Sequence, residues 1–515
     1  MLGSFLVRFF AAVSLFSLVT ASIAQESIVN FPVKRDESAD FWRRDGKAAL
    51  ERAKSTKIRK GKAKNIILFL GDGMGISTVT AARILEGQLR GESGEENRLA
   101  FEDFPFTAFS KTYSTNQQTS DSAPTMSAIV TGVKTNEGII SLSRNAIRGD
   151  FRSAPGNEQK SILSYAEDAG KSTGLVTTAR ITHATPAACY AHSPDRDWES
   201  DADIFARSKD AYKADFPDIA RQLVEFKSGD GVDVMLGGGR SKFLSREDAD
   251  PEYPDRRGER LDGRNLTAEW QKKNPGGKFV WNREQFDAVI ASKTKKLFGL
   301  FEPSHLRYEF DRKSDKGGEP SLSEMTAKAI DLLSQNRKGF FLMVEGGRID
   351  MAHHDGNAFR ALTETIEFSN AVRTALSKVN LDETLIIVTA DHSHTFTIGG
   401  YPARGNNILG LIREAGPGLN PEKEPKLDLQ KKPMTTLGYA NGPGYRGGNR
   451  PVLSDAEVTS PDFKQEAAVP LTSETHGGED VPIFADGVGA YLVRGSMEES
   501  WLFYIMSDAF GFSIK

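Results

Sequence analysis

The sequence contains very little cysteine and no marked excess of charge of either sign. Cys189 is the single cysteine among 515 residues, so no disulfide within the chain can stabilise the fold. The 66 Lys and Arg side chains nearly balance the 70 Asp and Glu side chains, giving a formal net charge of −4 and none of the basic excess typical of nucleic-acid-binding proteins. With 38% hydrophobic and 26% charged residues, the composition excludes disordered, collagen-like and multi-span membrane proteins.

Long hydrophobic runs are also missing, except for a short one at the N-terminus. Arg8 precedes the mostly apolar residues 9–19, and small residues follow at Ser22 and Ala24. This order predicts a secretory signal peptide over residues 1–24. The alternative is an N-terminal membrane anchor, but such an anchor needs about 20 apolar residues, more than this run provides. We therefore expect an exported protein, periplasmic or secreted.

Three segments differ from the main body of the chain, which we place at residues 65–515. Residues 25–64 form a strongly charged arm with a predicted helix at 39–53. Residues 401–471 are rich in Gly, Pro and Asn, which predicts a surface insertion and not a separate domain. Residues 501–515 are too few and too polar for a GPI signal, so we expect no membrane anchor.

The main body alternates short apolar strands with amphipathic helices. Strands are predicted at residues 65–70, 175–179, 232–236, 340–344 and 384–390. Helices are predicted at residues 77–89, 161–169, 321–336 and 357–379. Near-continuous apolar strands separated by helices predict an α/β fold, a three-layer sandwich whose large, mostly parallel sheet is covered by helices on both faces. Ligands of such sheets bind outside the carboxyl ends of the strands.

Acidic and histidine side chains follow these strand ends. The residues concerned are Asp72, Glu345, Asp350, His353, His354, Asp391, His392, His394 and His476. Asp350 and His354 are four residues apart, so on a helix they share one face and can hold one metal ion. Taken singly, such an Asp is usually a turn residue and such a His a packing residue. Together they predict a metal centre, in which mixed His and carboxylate ligands suit zinc, and the oxygens of Asp72, Glu345 and Thr185 suit magnesium.

Ser122 is the predicted nucleophile. The segment Asp121-Ser122-Ala-Pro124 predicts a loop that leads into a helix, with Pro124 in the first turn. A serine at a helix N-terminus lies at the positive end of the dipole, which favours its alkoxide and an anionic phosphate. The alternative is a simple helix cap. Arg196 supplies a guanidinium that can bind two phosphate oxygens.

These motifs, taken in order, resemble the alkaline phosphatase family. The matching segments are Gly71-Asp-Gly-Met-Gly75, Asp121-Ser-Ala123, His183-Ala-Thr-Pro186, Val344-Glu-Gly-Gly-Arg-Ile-Asp350, Thr389-Ala-Asp-His-Ser-His394 and Glu474-Thr-His-Gly-Gly-Glu-Asp480. The resemblance extends from about residue 65 to residue 506 and is closest to the animal-type branch. It implies hydrolysis of small phosphate monoesters through a phosphoserine, a homodimer, and a crown-like role for residues 401–471.

The resemblance also implies a ligand set. One zinc ion would be held by Asp350, His354 and His476, and a second by Asp72, Asp391 and His392 together with Ser122. Magnesium would be bound through Asp72, Thr185 and Glu345, with His183 nearby. Asp121 would orient Arg196, which clamps the phosphate.

Two details depart from the pattern of the family. His183 stands where some bacterial relatives carry Asp, which implies that magnesium binds there through water. Animal-type members also hold calcium, and Phe301-Glu302-Pro303 matches part of that site. Glu319 stands where the family has Asp, while Asp215 is only near the position expected for the remaining acidic ligand.

Three other functions are alternatives to this prediction. A sulfatase needs arginine at the last position of Ser122-Ala-Pro-Thr-Met126, where this chain has Met126. A phosphodiesterase of the same superfamily is the second alternative, although a diester would block oxygens that Arg196 can bind. The third is a non-catalytic periplasmic protein that binds metal or phosphate, for which Ser122 would not be needed.

Overall fold

The computed structural model describes residues 28–417 and 421–514. The predicted signal peptide, residues 1–24, lies outside the described residues. Within the two described ranges, no helix combines the length and the apolar character needed to cross a bilayer.

A ten-stranded sheet forms the centre of the molecule, in the order β15-β2-β14-β8-β1-β7-β3-β4-β6-β5. The strands are β1 Asn65–Gly71, β2 Phe106–Lys111, β3 Ser172–Arg180, β4 Val234–Gly238, β5 Lys278–Val280, β6 Leu297–Leu300, β7 Phe340–Gly346, β8 Thr384–Ala390, β9 Ser393–His394, β10 Phe396–Ile398, β11 Leu437–Gly442, β12 Ala467–Pro470, β13 His476–Gly477, β14 Val481–Gly487 and β15 Gly495–Glu498. Within this sheet only β14 is antiparallel to its neighbours, β2 and β8. The prediction of a large, mostly parallel sheet is therefore confirmed.

Helices cover both faces of the sheet. They are α1 Ala39–Lys54, α2 Ile76–Leu89, α3 Ser122–Thr131, α4 Ile162–Asp168, α5 Ala184–Ala187, α6 Asp201–Arg207, α7 Lys209–Lys213, α8 Ile219–Val224, α9 Leu266–Lys273, α10 Arg283–Asp287, α11 Leu322–Leu333, α12 Arg348–His354, α13 Ala358–Lys378, α14 Asp455–Val458 and α15 Trp501–Phe510. Short 3-10 turns lie at Ala100–Asp103, Phe151–Ser153, Arg240–Lys242, Ala291–Lys293, Arg312–Ser314 and Ala490–Leu492.

Side chains of β1 alternate between the two hydrophobic cores. Ile66, Leu68 and Leu70 pack with the helices on one face, among them α3 and α15. Ile67 and Phe69 pack with α2, α11 and α13 on the other. This alternation follows from the two-residue period of a strand, and it explains why the whole run is apolar. The three-layer architecture is thus built from the strand pattern that the sequence predicts.

Parallel pairing brings the carboxyl ends of three strands together at one edge of the sheet. Leu70 of β1 pairs with Glu345 of β7, and Gly71 pairs with Ala390 of β8. The residues that follow these positions therefore lie side by side. They include most of the acidic residues that the sequence predicts as ligands.

Residues 401–471 add a smaller sheet in the order β10-β11-β12, which begins before the predicted insertion because β10 is Phe396–Ile398. Part of the N-terminal arm is bound to this region, since Phe31 N donates to Gly405 O at 2.7 Å. The predicted helix of the arm is α1, which buries none of its residues against the rest of the described chain.

Candidate active site

Three buried carboxylates lie at the carboxyl edge of the sheet. Asp72 follows β1, Glu345 is the penultimate residue of β7 and Asp391 follows β8. All three are fully buried. Gly73 allows this close approach, because its φ is +67° and a Cβ there would lie 2.4 Å from His394 Nε2. The Gly73 N–H donates to Asp391 Oδ1 at 3.0 Å, which fixes the turn.

The first predicted zinc set comes together in the structure. Asp350 Oδ1 lies 3.3 Å from His354 Nε2 and 3.4 Å from His476 Nε2, and the two Nε2 atoms are 3.2 Å apart. Asp350 and His354 both belong to α12, on the shared face expected from their spacing. His353, the neighbouring histidine, instead contacts Thr78 and Tyr439.

The second predicted zinc set lies directly beside the first. Ligand atoms of Asp72, Asp391 and His392 all lie within 4.8 Å of one another. The rings of His392 and His476 stack with their centroids 3.6 Å apart, which joins the two sets. Burial lowers the pKa of His392 to about 3. The His392 ring is therefore neutral near pH 7, the form in which histidine binds a metal.

The predicted magnesium ligands form a third set that shares Asp72. Ligand atoms of Asp72, His183 and Glu345 lie within 4.8 Å of one another. Thr185 is fully buried next to Glu345. Burial, followed by the charge of Arg196, lowers the pKa of His183 to about 3, so this ring is also neutral.

Unpaired buried polar atoms indicate that these sets fit cations. Asp72 Oδ2, Asp391 Oδ2, Glu345 Oε1 and Thr185 Oγ1 are buried and have no hydrogen-bond partner. Burial raises the pKa of Glu345 and of Asp391 to about 7, and that of Asp72 well above its usual range. Concentrated buried negative charge of this kind is unfavourable unless a cation or a proton balances it. Two of the sets combine histidine nitrogen with carboxylate oxygen, which suits zinc. The third set consists mostly of oxygen ligands, which suits magnesium.

Ser122 lies within reach of the second set. Its hydroxyl oxygen is 3.2 Å from His392 Nε2 and 3.3 Å from Asp72 Oδ1. The residue opens α3, whose N-cap Asp121 accepts from Ala123 N at 3.0 Å. The oxygen is thus held at the positive end of the α3 dipole and beside the buried carboxylates. A serine in this place can serve as a nucleophile once a cation lies next to it.

Arg196 is aimed by two partners. Asp121 Oδ1 accepts from its Nη1 at 2.7 Å, and Nη2 lies 3.1 Å from His183 Nε2. Burial opposes ionisation of Asp121, but Arg196 and the N–H groups of Ala123 and Gly138 outweigh it and lower the pKa of this carboxyl. A guanidinium has five N–H donors, so these two contacts leave three for an anion.

His394 and Glu474 carry a role that the motifs did not reveal. His394 Nε2 lies 2.8 Å from Asp350 Oδ1, and its Nδ1 lies 2.5 Å from Glu474 Oε2. Burial disfavours the charged ring, but these two carboxylates outweigh it and raise the pKa of His394 to about 10. His394 therefore holds the Asp350 carboxylate in position. The sequence gives one indication of this role, because His394 stands two residues after the predicted ligand His392.

A separate acidic cluster corrects the predicted calcium ligands. Ligand atoms of Glu252, Glu302 and Asp315 lie within 4.8 Å of one another. Glu302 is one of the residues that the sequence predicts as calcium ligands, whereas Glu252 and Asp315 are not predicted from the sequence. Asp215 does not join them, since its side chain is 82% exposed and pairs with Arg221 at 2.8 Å.

Glu319 lies close to this acidic cluster without completing the set. Its Oε1 accepts from Arg307 N at 2.9 Å, while its buried Oε2 has no partner. Burial, followed by the charges of Glu302 and Asp315, raises the pKa of Glu319 to about 9. A hard cation would relieve this repulsion, as carboxylate oxygens are the ligands that calcium prefers.

Comparison with known proteins connects this geometry to one family. The family model for alkaline phosphatase matches residues 63–512. An alkaline phosphatase of Gadus morhua is 46% identical over 487 residues, covering 93% of this chain and 98% of that protein. The tissue-nonspecific isozyme of alkaline phosphatase from Homo sapiens is 45% identical over 485 residues, covering 92% of this chain and 89% of that protein.

Solved structures show the same fold at lower identity. The alkaline phosphatase of Thermus thermophilus has a TM-score of 0.63 at 24% identity, covering 90% of this chain and 94% of that chain. The alkaline phosphatase of the Antarctic bacterium TAB5 has a TM-score of 0.59 at 23% identity, covering 88% of this chain and all of that chain.

Proposed function

Because the chain belongs to the alkaline phosphatase family, we propose that it hydrolyses phosphate monoesters with Ser122 as the nucleophile and Arg196 as the phosphate clamp. The observation that carries this proposal is the position of the Ser122 hydroxyl, 3.2 Å from His392 and 3.3 Å from Asp72 in the buried ligand sets. A helix cap alone would not require these neighbours.

Two zinc ions and one magnesium ion fit the three ligand sets. Asp350, His354 and His476 would hold one zinc ion, and Asp72, Asp391 and His392 the other. Asp72, Thr185 and Glu345 would hold magnesium. His183 lies beside this set and accepts a hydrogen bond from Arg196. When bound, such cations supply positive charge for the attacking and leaving oxygens of a phosphoryl transfer.

The chain itself supplies the nucleophile that attacks the ester, and water then hydrolyses the resulting phosphoserine. Ser122 gives up its hydroxyl proton as Oγ forms a bond to phosphorus, the bond from phosphorus to the ester oxygen breaks, and that oxygen takes up a proton and leaves as the alcohol. Water then attacks phosphorus, the bond between phosphorus and Oγ breaks, and Oγ takes up a proton while phosphate leaves. The α3 N-terminus favours the developing negative charge, because Ser122 is the first residue of α3 and lies at the positive end of its dipole.

Arg196 favours a monoester over a diester. Its guanidinium keeps three N–H donors after its contacts with Asp121 and His183. A monoester has three non-bridging phosphate oxygens and a diester has two, so the monoester offers one more oxygen to this fork and to the neighbouring ligand sets. The preference for monoesters then follows from the number of phosphate oxygens that Arg196 can bind.

Calcium is the cation that fits the acidic cluster of Glu252, Glu302 and Asp315. This site would be structural, because it lies among loops and contains no residue assigned to the reaction. Arg240 lies 2.9 Å from Glu252, and Arg307 lies 3.1 Å from Asp315 and 3.2 Å from Glu302.

Export and a homodimer complete the proposal. Large exposed hydrophobic residues are frequent in and next to the insertion, including Tyr401 at 84% and Val452 at 66% exposure. A second copy packed there would remove them from water, and α1, which buries nothing in its own chain, is free to contact that copy. The segment 1–24 would direct the chain out of the cell before either contact forms.

The reaction class is tested by comparing p-nitrophenyl phosphate with bis-p-nitrophenyl phosphate, each with zinc and magnesium or with EDTA. We expect rapid turnover of the monoester, slow turnover of the diester, and loss of both in EDTA. Faster turnover of the diester would overturn the monoesterase assignment. A metal-loaded protein that turns over neither substrate would instead be a binding protein.

Replacing Arg196 by alanine tests the clamp. We expect kcat/KM for p-nitrophenyl phosphate to fall about 10²-fold, largely through KM, because charge-assisted hydrogen bonds to the phosphate are lost. The inhibition constant of inorganic phosphate should weaken in parallel. Arg98→Ala is the matched control, since Arg98 is exposed and pairs with the exposed Asp103 at 3.0 Å. An unchanged KM and phosphate affinity in Arg196→Ala would contradict the assignment.

A further inference from the structure

A cleft of about 680 Å³ lies at the edge of the sheet opposite the metal-ligand sets. Its position follows from the parallel topology, because Ser172 begins β3, Asp233 precedes β4 and Lys296 precedes β6. The predicted metal ligands follow the other ends of the strands. A seven-residue strand is about 20 Å long, so a ligand in this cleft does not reach the reacting groups.

Lysine dominates the charge of the cleft. Lys273, Lys293, Lys295 and Lys296 line it, against the two acids Asp230 and Asp233. We call this site the basic cleft. Lys296 is already engaged, since its Nζ donates to Asp230 O at 2.6 Å and lies 3.7 Å from Asp233 Oδ1. Lys273 likewise donates to Val224 O at 2.9 Å, a contact that stabilises the end of α8.

Lys293 and Lys295 have no such structural role. Both side chains are exposed, and within residues 28–417 and 421–514 neither makes an ion pair or a side-chain hydrogen bond. They lie around a short 3-10 turn that packs against α11, and no carboxylate of the described chain pairs with either one. Two uncompensated ammonium groups at the mouth of a cleft are suited to an anion from solution.

A second group of lysines continues the positive surface. Lys171 Nζ donates to Lys64 O at 2.9 Å and to Lys338 O at 2.7 Å, and no carboxylate of the described chain pairs with it. Burial, followed by the charges of Lys64 and Lys338, lowers the pKa of Lys171 to about 8. Asn336 connects this group to the basic cleft, because it lines the cleft and donates to Gly170 O at 3.0 Å.

The lining of the cleft favours discrete anionic groups. Asn274 keeps one amide N–H beside its bond to Trp270 O, and the exposed Ser292 adds a hydroxyl to the lining. Such groups donate hydrogen bonds to phosphate or sulfate oxygens. A flat lipid surface does not enter a cleft, whereas a flexible polymer can lie in it and continue along Lys64, Lys171 and Lys338. Several charges along one chain also release several counterions, which strengthens binding at low salt.

We propose that the basic cleft binds a chain-like polyanion that carries repeated phosphate or sulfate groups. This binding is separate from catalysis and leaves the Ser122 centre open. For an exported enzyme it would provide attachment to an acidic polymer outside the cell while phosphate esters are hydrolysed at the other edge of the sheet.

The test uses the full-length, metal-loaded enzyme and measures fluorescence polarisation of labelled heparin and of labelled long-chain polyphosphate. We expect the double variant Lys293→Glu and Lys295→Glu to weaken binding about tenfold or more, and to lower the slope of log affinity against log salt by about two. Turnover of p-nitrophenyl phosphate should be unchanged. The matched control is Lys423→Glu with Lys464→Glu, which makes the same charge change on exposed lysines of the insertion.

The two probes separate the sources of the ligand, since stronger binding of heparin indicates sulfate and stronger binding of polyphosphate indicates phosphate. Ser122→Ala should bind both polymers as the wild type does, which keeps this result independent of the proposed reaction. The proposal is overturned if the wild type binds neither polymer, or if both double variants lose affinity equally. Binding to vesicles containing phosphatidylserine with no binding to either polymer would also overturn it.

Discussion

Ser122→Ala is expected to lower the turnover of p-nitrophenyl phosphate by about 10³-fold or more, since covalent catalysis is lost while binding of the phosphate remains. The hydroxyl oxygen lies 3.2 Å from His392 Nε2 and is the group of α3 nearest to the ligand sets. Without it, no phosphoserine can form. Residual hydrolysis would depend on the remaining positive charge and on the positioning by Arg196.

The readouts separate a missing nucleophile from a disturbed site. Zinc and magnesium content, measured by mass spectrometry, should stay near that of the wild type. A radiolabelled phosphoenzyme, trapped by acid quenching in the wild type, should be absent from the variant. Retention of the full rate, or loss of zinc together with activity, would contradict the assigned role.

Ser120→Ala is the matched control. Ser120 is two residues from Ser122 and is also buried, and among the described residues its hydroxyl is bonded only to Asp121 O. The backbone carbonyl of Ser120, which accepts from His476 Nδ1 at 2.7 Å, is kept when alanine replaces it. This variant removes a hydroxyl from the same loop and should keep turnover within about threefold of the wild type, as expected for a substitution outside the reacting groups.

The central part of the fold can be predicted from local sequence pattern, whereas the sheet margin cannot. Strands β1, β7 and β8 are continuous apolar runs because both of their faces are buried, and such runs are visible in any sequence window. The marginal strands β2 and β14 are different. Only two of the six residues of β2 are buried, and β14 contains Pro482 and Asp486, so neither shows a clear strand pattern.

Prediction of the site has a similar limit. Asp72, Glu345 and Asp391 could be found because each is tied to a strand end that topology brings to one edge. Glu252 and Asp315 lie in loops, and only the folded chain brings them to Glu302. The choice between adjacent histidines also depends on helix phase, which places His354 toward Asp350 and leaves His353 in the core.

Removal of the metals is expected to lower the free energy of unfolding, and this loss should be larger at higher pH. Asp72, Glu345 and Asp391 are fully buried, and in the metal-free chain burial raises the pKa of each. A carboxyl whose folded pKa is raised above the unfolded value contributes stability that is complete below the unfolded pKa, near 4, and is lost as pH rises through the folded pKa. For Glu345 and Asp391 that folded value is about 7. The metal-free protein should therefore lose stability between pH 5 and pH 8.

Bound cations oppose this loss, because they stabilise the ionised carboxylates only in the folded state. At pH 8 the melting temperature in EDTA should lie about 10 °C or more below that of the protein with zinc and magnesium, and the gap should be smaller at pH 5.5. Scanning calorimetry at both pH values measures this difference. After chelation, zinc with magnesium should restore the larger part of the melting temperature, whereas calcium alone should restore only the part due to the cluster of Glu252, Glu302 and Asp315. A gap that does not widen with pH, or full restoration by calcium alone, would place the stabilising cation away from the buried carboxylates beside Ser122.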